Sequence, residues 1–340
     1  MVKLKLGKEL RSLLKKVSRT LYLSISILPE QMQAMLGIGY LVCRAMDTVV
    51  DSSDIPASKK KELLALFRKI TEVNKEEFEK GLRGPASGLK DKGEKELLEK
   101  FPAVAEFVKN FNGAEKALLS ILVKGVSRGM ETDLDVFSGG LKAFRTEKEL
   151  LNYCRLIGGV PGIYWYGVYN LYTNNFMRAA GMRRLAYHIG AALQITNVLK
   201  DLSADLKNGR CYLPLEDLKA AGLSPEQLNE KENISRLRPV LAKWAILAVD
   251  LLDSSEKFLS EISKSQFRMR AAVVWPVYWA MDSLYEITQS NPLAKRSKIS
   301  RMKIYSTIAG TPSLLLSNGV FQRGYRFRRE TLIVSLNNSL

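Results

Sequence analysis

Apolar residues recur three and four positions apart along almost the whole chain, which is the period of an amphipathic α-helix. The first such stretch covers residues 13–51 and contains a sharp break at Pro29, because proline lacks the backbone donor that a helix interior needs. Alternating strand patterns are nearly absent, so the chain is predicted to be all-α. The later helical patterns cover about residues 57–80, 94–110, 114–134, 147–176, 178–207, 234–263, 267–290 and 296–308.

Two stretches rich in Gly, Pro and Ser, residues 83–93 and 208–227, are predicted to be loops. Each is short and helices resume on both sides, so neither indicates a domain linker. No repeat of solenoid length is visible. With 340 residues, of which 46% are hydrophobic, the chain is long enough to bury a large core. We therefore expect a single all-α domain over residues 1–340.

The net charge of +17 indicates an anionic partner. Nucleic acid, an anionic membrane face and phosphorylated small molecules would all fit such a charge. The basic residues are scattered, however, and no zinc-finger spacing, RNP-like aromatic motif or basic zipper accompanies them, so nucleic acid is not expected. A solvated basic surface that favours anionic lipid is the simpler interpretation.

The three cysteines stand far apart and form no C-x-x-C pair, which favours a reducing compartment and argues against a thiol metal site. Lys or Arg interrupts the N-terminal region every few residues, so it resembles neither a signal peptide nor a membrane span. No later apolar stretch reaches the length of about 18 residues that a spanning helix needs. We expect a cytoplasmic monomer with peripheral contact on the inner face of a membrane.

Two of the predicted helices carry a stripe of polar residues amid apolar neighbours. Within each stripe the residues stand three or four positions apart, which places their side chains on one helical face. Each stripe ends in two aspartates four positions apart, where a core helix would have apolar residues. The first stripe consists of Tyr40, Arg44, Asp47 and Asp51, and the second of Gln194, Asn197, Asp201 and Asp205.

The aspartate pairs are candidates for holding a divalent cation. Mg²⁺ keeps several waters and is usually held by one or two carboxylates together with the phosphate oxygens of a substrate. A single pair with this spacing also occurs by coincidence on solvated helices. Two such pairs, each continued by polar residues, favour the functional interpretation. In that interpretation the two pairs face each other across a cavity and bind a cluster of Mg²⁺ ions, which in turn binds a diphosphate.

Five segments of the chain resemble, in order, the signature blocks of the squalene/phytoene synthases. The last segment is the most specific, because its aspartates, glycine, arginine and closing Tyr-Leu-Pro all stand at the expected offsets. The resemblance covers about residues 15–290 and implies the isoprenoid synthase fold, in which helices surround a central active-site cavity. It also implies an enzyme that joins two allylic diphosphates head to head. The segments are VSRTLYLSI (17–25), YLVCRAMDTVVD (40–51), RGMETDL (128–134), YCRLIGGVPG (153–162) and QITNVLKDLSADLKNGRCYLP (194–214).

This resemblance implies a role for each matching position. Asp47, Asp51, Asp201 and Asp205 match the Mg²⁺-binding aspartates of the family. Tyr153 matches an active-site tyrosine, a candidate for proton transfer when a cyclopropane intermediate forms. The alternative for Tyr153 is a core tyrosine whose hydroxyl is hydrogen-bonded.

Further positions match residues that bind diphosphate or line the hydrocarbon pocket. Arginine suits diphosphate because its planar guanidinium binds phosphate in a bidentate manner. Arg44 has an alternative or additional role as a partner of the aspartates on its own helix. Glycines at 158, 159 and 162 are expected to mark a helix break where small residues leave room for prenyl chains. The substrate-binding candidates are Ser18, Arg19, Tyr40, Arg44, Gly129, Met130, Gln194, Asn197 and Arg210.

The chain departs from the family pattern at two positions near the aspartates. Val50 stands where squalene synthases of eukaryotes usually have an acid, which puts a full set of metal ligands at the first motif in doubt. Lys200 stands where many members have arginine, which keeps the charge and loses the planar fork.

The Asp-Thr head of the first motif favours the squalene branch. That branch converts two farnesyl diphosphates through presqualene diphosphate to squalene with NADPH. The enzymatic alternatives are synthesis of presqualene diphosphate, dehydrosqualene or phytoene without reductant. The non-enzymatic alternative is a scaffold of the same fold. The chain has no G-x-G-x-x-G unit after a strand, so NADPH would need a different site. Lys298 and Arg301 lie in a basic segment placed like one that contacts NADPH phosphates in squalene synthases. An exposed basic helix without a ligand is the alternative.

Overall fold

The computed structural model describes residues 4–173 and 181–339, without the side chains at positions 19, 20, 314–316 and 339. The described chain is almost entirely α-helical, as the hydrophobic period predicts. The strands seen in it are the two-residue segments β1 (Lys142–Ala143) and β2 (Arg210–Cys211), which pair in parallel. The all-α prediction is confirmed.

Two compact units account for the described residues. The first contains residues up to 134 together with 164–173, and the second contains residues 135–163 and 181–339. The single-domain organisation stays a prediction. The helices of the N-terminal part are α1 (Lys8–Val17), α2 (Arg19–Ser26), α3 (Glu30–Asp51), α4 (Ala57–Arg68), α5 (Lys75–Gly88), α6 (Lys92–Glu99), α7 (Phe101–Lys109) and α8 (Gly113–Val136).

A π-helical turn, Arg155–Gly159, links the first two helices of the remaining chain, and two short 3₁₀ turns, Glu226–Asn229 and Lys231–Asn233, precede α13. None of the helices within the described residues combines the length and the apolar character that crossing a bilayer requires. The remaining helices are α9 (Glu147–Cys154), α10 (Val160–Tyr172), α11 (Met182–Lys207), α12 (Leu215–Ala220), α13 (Ile234–Leu252), α14 (Ser254–Ser260), α15 (Phe267–Gln289), α16 (Arg301–Leu316) and α17 (Asn318–Ser339).

In the first unit, α3 is fixed by a close contact at a glycine. A Cβ atom at Gly39 would lie only 2.6 Å from the ring of Tyr164, so a larger residue would push the tyrosine away. The Tyr164 hydroxyl in turn donates a hydrogen bond to the carbonyl oxygen of Met35 at 2.6 Å. Because burial strongly raises the pKa of Tyr164, this hydroxyl stays protonated and keeps donating. The contact sets the position of the helix that carries the first polar stripe.

In the second unit, the π-helical turn packs directly against α11. A Cβ atom at Gly158 would lie 2.2 Å from the carbonyl oxygen of Gly190, and one at Gly162 would lie 2.1 Å from that of Ala186. The ring of Tyr187 occupies the corresponding space at Gly159. The interpretation that these glycines break a helix and leave room for prenyl chains is therefore wrong. The helical path continues through a π turn, and the space belongs to the backbone and side chains of α11.

The predicted loop over residues 83–93 is largely helical. Helix α5 continues to Gly88 with Pro85 inside it, and α6 begins at Lys92. Burial outweighs the low helix propensity of Gly and Pro here, since Phe78, Leu82 and Ala86 stand four positions apart and are all buried. The Asp91 side chain caps α6 by accepting hydrogen bonds from the first backbone amides of the helix.

Other boundaries and one helix also differ from the sequence prediction. The helices predicted over 94–110 and 234–263 are each split in two, and the loop predicted over 208–227 contains α12. A second break at Ser18 separates α1 from α2, and the pattern over 57–80 splits where α4 ends and Asn74 caps α5. Helix α17 was not predicted, because its basic residues dominate the pattern. Its buried positions nevertheless follow a helical spacing of four, seven and four. They are Phe321, Tyr325, Leu332 and Leu336.

Replacing Gly158 with alanine should destabilise the protein, because the new methyl group would overlap a backbone oxygen that cannot rotate away. We expect the free energy of unfolding in urea to fall by about 1–3 kcal/mol. The matched control is Gly310→Ala, in an exposed part of α16 where a Cβ atom meets nothing within 4 Å. That variant should be unchanged or more stable by up to about 1 kcal/mol. Equal stability of Gly158→Ala and the wild type would show that the contact is not tight.

Candidate functional site

The first polar stripe ends at the C-terminus of α3, where Arg44 lies between two carboxylates. Its guanidinium contacts Asp47, one turn further along the same helix, and its Nη2 atom lies 2.5 Å from Oε1 of Glu94 on α6. The predicted in-helix partnership of Arg44 and Asp47 is thus confirmed. Burial disfavours the guanidinium charge, but the two carboxylates outweigh burial and raise the pKa of Arg44. The side chain is about one-third exposed, so it keeps access to solvent.

Glu94 is a residue of this site that the sequence did not reveal. Burial raises the pKa of Glu94, Arg44 opposes that rise, and the negative charges of Asp91 and Asp51 add to it. A third carboxylate therefore belongs to the electrostatic surroundings of Asp51, near the motif in which Val50 replaces the usual acid. Fifty positions separate Glu94 from Arg44, and no sequence spacing connects residues on different helices.

Several polar side-chain atoms of the first unit are buried without a hydrogen-bond partner. Among them are Oγ of Ser18, Nε of Arg44 and Oγ1 of Thr48. Tyr40 ties this region together, since its hydroxyl donates to the carbonyl oxygen of Val17, directly before Ser18, at 2.8 Å. Buried polar atoms nearly always have partners in folded proteins, so unpaired ones are consistent with a polar ligand or water.

The other substrate-binding candidates of the first unit lie on α2 and α8. Arg19 begins α2, and its side chain lies outside the described part of the structure. Gly129 and Met130 are buried on α8. A buried methionine suits the predicted contact with hydrocarbon, which stays a prediction.

The second stripe forms a chain of polar contacts along α11. Asn197 donates to Oε1 of Gln194 at 3.2 Å and accepts from the Lys200 ammonium at 2.7 Å. The same ammonium lies 3.2 Å from Oδ2 of Asp201, and Nε of Arg296 lies 3.0 Å from its Oδ1. Both carboxylate oxygens of Asp201 thus contact cations. Lysine at position 200 keeps its charge directed at the stripe although it lacks the guanidinium fork.

Arg296 is a second residue that the sequence did not single out. It reaches Asp201 from the segment between α15 and α16, which is anchored on α11 because the Ser297 amide donates to the carbonyl oxygen of Lys200 at 3.0 Å. The hydroxyls of Ser297 and Ser290 lie 2.8 Å apart, which holds the segment to the end of α15. The run of basic residues at 295–303 indicated a charged segment, but not the helix that it contacts.

The stripe ends in Asp205 and the turn that follows α11. Both Asp205 and Arg210 are half-buried. Gly209 has a φ of +75°, which an L side chain rarely adopts, and a Cβ atom there would lie 3.1 Å from the carbonyl oxygen of Gly140. The Gly209 carbonyl accepts from the Lys142 amide at 3.2 Å, which leads the chain into β2 and fixes Arg210 just past the helix end.

Tyr153 lies in a buried aromatic cluster. Its ring stacks on that of Tyr212 with centroids 4.8 Å apart, and the two hydroxyls lie 3.3 Å apart. Phe144 and Phe137 complete the cluster, each with its ring 5.1–5.8 Å from that of Tyr212. The position combines the features of a core tyrosine with a hydroxyl pair through which a proton can pass. Tyr212 belongs to the closing Tyr-Leu-Pro block, a motif that does not by itself indicate this partner.

Lys298 and Arg301 stand on either side of Ser300, which caps α16 by accepting from the Lys303 amide at 3.2 Å. Both basic side chains are exposed. The predicted contact with NADPH phosphates remains a prediction at these positions.

The donor chemistry of the two stripes fits Mg²⁺ rather than a softer metal. Carboxylate and amide oxygens are hard ligands, whereas burial raises the pKa of the Cys43 and Cys211 thiols to about 12, which keeps these thiols protonated. Within residues 4–173 and 181–339, no three Asp, Glu, His or Cys side chains gather closely enough to hold a metal by themselves. Mg²⁺ bound here would need water and substrate oxygens as further ligands, which is its usual manner in proteins.

The sequence is similar to those of known phytoene synthases. Phytoene synthase 2, chloroplastic, of Oryza sativa subsp. japonica is 24% identical over 287 residues, which are 84% of this chain and 65% of that protein. The chain thus spans less than two thirds of the length of that relative.

Two solved structures show the fold. The complex of TcSQS with the ligand BPH1237 matches with a TM-score of 0.76 at 20% identity and covers 98% of this chain and 100% of that chain. A dehydrosqualene synthase in complex with a ligand matches with a TM-score of 0.63 at 22% identity and covers 90% and 95%. The predicted all-α isoprenoid synthase fold is thereby confirmed.

The family model described as squalene/phytoene synthase matches residues 14–303, which include all five signature segments and both polar stripes. The chain therefore belongs to the squalene/phytoene synthase family.

Proposed function

We propose that this protein condenses two prenyl diphosphates head to head, with farnesyl diphosphate as substrate, presqualene diphosphate as intermediate and squalene as final product. The observation that carries the proposal is the pair of helical stripes, each of which combines aspartates with basic groups inside the family match. Such a combination suits a diphosphate, whose oxygens need cations and whose metal ions need carboxylates.

Arg44 and Arg210 would bind diphosphate oxygens, and the Ser18 hydroxyl would add a neutral hydrogen bond. Asp47 and Glu94 support this role of Arg44 because they hold its guanidinium from two sides before substrate arrives. Preorganised charges of this kind stabilise a leaving group without rearranging during the reaction. Gln194 and Asn197 would bind diphosphate or its water, next to Lys200 and Asp201 on the same stripe.

Asp47, Asp51, Asp201 and Asp205 are the residues that would hold Mg²⁺, which when bound would neutralise the negative charge that develops on the departing diphosphate. The aspartates fit this task because Asp201 already contacts a cation at each oxygen. A metal ion would take the place of one of these cations as the counter-charge of the carboxylate.

Loss of diphosphate from one substrate leaves an allylic cation, which the 2,3-double bond of the other substrate attacks. A proton must then leave as the cyclopropane ring closes. Tyr153 is the proposed proton acceptor or relay, since its hydroxyl has a neighbouring hydroxyl on Tyr212 to which a proton can pass. The buried aromatic cluster around Tyr153 would also keep water away from the cation.

Reduction by NADPH would complete squalene formation, and Lys298 and Arg301 are proposed to contact its phosphates. A second candidate is phytoene formation from geranylgeranyl diphosphate without reductant, which the similarity to the rice phytoene synthase favours. The Asp-Thr head of the first motif favours squalene. Presqualene diphosphate, dehydrosqualene and a non-enzymatic scaffold remain as further alternatives.

The protein is also proposed to be a cytoplasmic monomer with peripheral membrane contact and no nucleic acid partner.

The first test is incubation of the protein with Mg²⁺ and farnesyl diphosphate, with and without NADPH, followed by mass spectrometry of the products. We expect presqualene diphosphate in both reactions and squalene only with NADPH. Dehydrosqualene without reductant would assign the dehydrosqualene branch, and phytoene formed only from geranylgeranyl diphosphate would assign the phytoene branch. No condensation product from either substrate would favour the scaffold alternative.

Asp201→Asn should reduce turnover by about a hundredfold or more, because removal of one electrostatic group from such a site typically has an effect of that size. The far-ultraviolet circular dichroism spectrum and the melting temperature should stay close to those of the wild type, since the amide keeps the shape of the side chain. Glu261→Gln, an exposed acid at the end of α14, is the control and should keep full activity. Wild-type turnover of Asp201→Asn would contradict the proposed role.

Glu94→Gln should raise KM for the prenyl diphosphate by about tenfold with a smaller effect on kcat, because Arg44 loses one of the two charged hydrogen bonds that hold it. Steady-state kinetics at saturating Mg²⁺ would measure both constants. Glu96→Gln is a matched control on the same helix, since Glu96 pairs instead with Lys16 and Lys100 at the surface. An unchanged KM in Glu94→Gln, or an equal rise in Glu96→Gln, would show that Glu94 does not position Arg44.

A further inference from the structure

Helix α16 presents an apolar stripe to solvent. The stripe consists of Met302, Tyr305, Ala309 and Pro312, which are all exposed. Their spacing of three, four and three places them within about 80° of one another around the helix axis. Met302 is 79% exposed and Tyr305 is 63% exposed, far above what apolar side chains of this size show in a core helix.

The opposite face of α16 is held to the protein by polar contacts. Thr307 and Thr311 are buried, and the Thr311 hydroxyl accepts a hydrogen bond from the indole of Trp275 at 2.7 Å. Lys303 lies 3.3 Å from Glu286 and covers the ring of Tyr285. The helix thus places Thr307 and Thr311 on its buried face while Met302 and Tyr305 are exposed, whereas an ordinary surface helix buries its large apolar side chains.

Basic residues are frequent in the sequence on either side of the exposed stripe, and acids are missing there. Residues 287–329 contain nine Lys and Arg and not one Asp or Glu. Five of the nine pair with acids elsewhere in the second unit, through the side chains of Arg296, Lys303, Arg326, Arg328 and Arg329.

Three of the others, Lys295, Lys298 and Arg301, are exposed and have no ion pair in the part of the chain that the structure describes. They directly precede Met302 and Tyr305 in sequence. We call these five residues, Lys295, Lys298, Arg301, Met302 and Tyr305, the α16 surface.

We propose that the α16 surface docks the protein on an anionic lipid bilayer, with Met302 and Tyr305 inserted among the headgroups and the three bases on lipid phosphates. Tyrosine is a residue that favours the membrane interface, because its ring is apolar and its hydroxyl polar. Each Lys or Arg near an anionic membrane contributes about a fivefold gain in binding, so three bases and two apolar side chains act together.

The charge and the apolar character of the α16 surface favour a bilayer over other partners. A second copy of the chain would bring two unpaired basic clusters together, which repel each other. NADPH, proposed above as a ligand of Lys298 and Arg301, would pair with these two bases but would leave Lys295, Met302 and Tyr305 without a partner, so lipid and nucleotide would bind the two shared bases in turn. The bilayer accounts for both halves of the surface, and this inference holds independently of the reaction that the aspartates support.

The test is sedimentation of the purified full-length protein with vesicles, without nucleotide or substrate. One set of vesicles contains phosphatidylcholine alone, and the other contains phosphatidylcholine with phosphatidylglycerol. We expect binding to the anionic vesicles that is at least about tenfold tighter than to the neutral ones and that weakens with salt. Two variants should each weaken binding by about tenfold or more. One combines Met302→Ser with Tyr305→Ser, and the other combines Lys295→Gln, Lys298→Gln and Arg301→Gln.

Matched controls remove the same types of side chain, apolar or basic, from other exposed positions of the chain. Ile121→Ser with Phe267→Ser removes two other exposed apolar side chains, and Lys80→Gln with Lys90→Gln and Lys124→Gln removes three other exposed bases. The apolar control should bind anionic vesicles within about twofold of the wild type. The basic control should lose less affinity than the variant that lacks the three bases of the α16 surface.

Three results would overturn the proposal. They are absence of binding to anionic vesicles, equal losses in the α16 variants and their controls, and a concentration-dependent dimer in sedimentation velocity that Met302→Ser with Tyr305→Ser abolishes. The last result would assign the surface to a second copy of the chain. Because the vesicle assay contains no substrate, its outcome is separate from success or failure of the condensation assay.

Discussion

Placing several carboxylates on one helical face carries an electrostatic cost, and the rest of the site is arranged around that constraint. Like charges one turn apart destabilise a helix, so each stripe needs cations close to it. Within the protein, Arg44 serves this purpose at Asp47, and Lys200 together with Arg296 does so at Asp201. A site that keeps cations near aspartates before any ligand arrives has the charge balance that a metal diphosphate later needs.

The helices that carry the stripes are positioned by contacts between small residues. Gly39 allows Tyr164 to lie against α3, and Gly158 allows the π-helical turn to lie against α11. Both contacts depend on the absence of a Cβ atom, and both fix a helix whose polar face must be presented at a defined angle. Rigid packing behind a stripe keeps its carboxylates in place, because a helix that is free to rotate would not hold charged side chains in a fixed arrangement.

Local properties of the sequence explain how much of this could be predicted. The all-α architecture, the two stripes and the Arg44–Asp47 pair follow from residues three or four positions apart on one helix. Glu94, Arg296 and Tyr212 could not be found in this way, because they meet their partners across different elements. The loop predicted at Pro85 failed for a related reason, since buried side chains on one face outweighed the local propensity of Gly and Pro.

The basic residues between 295 and 329 include two groups with different physical roles. Three arginines of α17 make contacts inside the second unit: Arg326 pairs with Glu256, Arg328 lies over the ring of Tyr278, and Arg329 contacts Asp250 and Asp253. Such pairs hold the last helix in place and leave little charge for a partner. Lys295, Lys298 and Arg301, before and at the start of α16, have no such acids in the described part of the chain and border apolar side chains instead. A net charge of +17 is therefore a poor guide to partners until the paired residues are set aside, and three of the bases that then remain border an exposed apolar stripe.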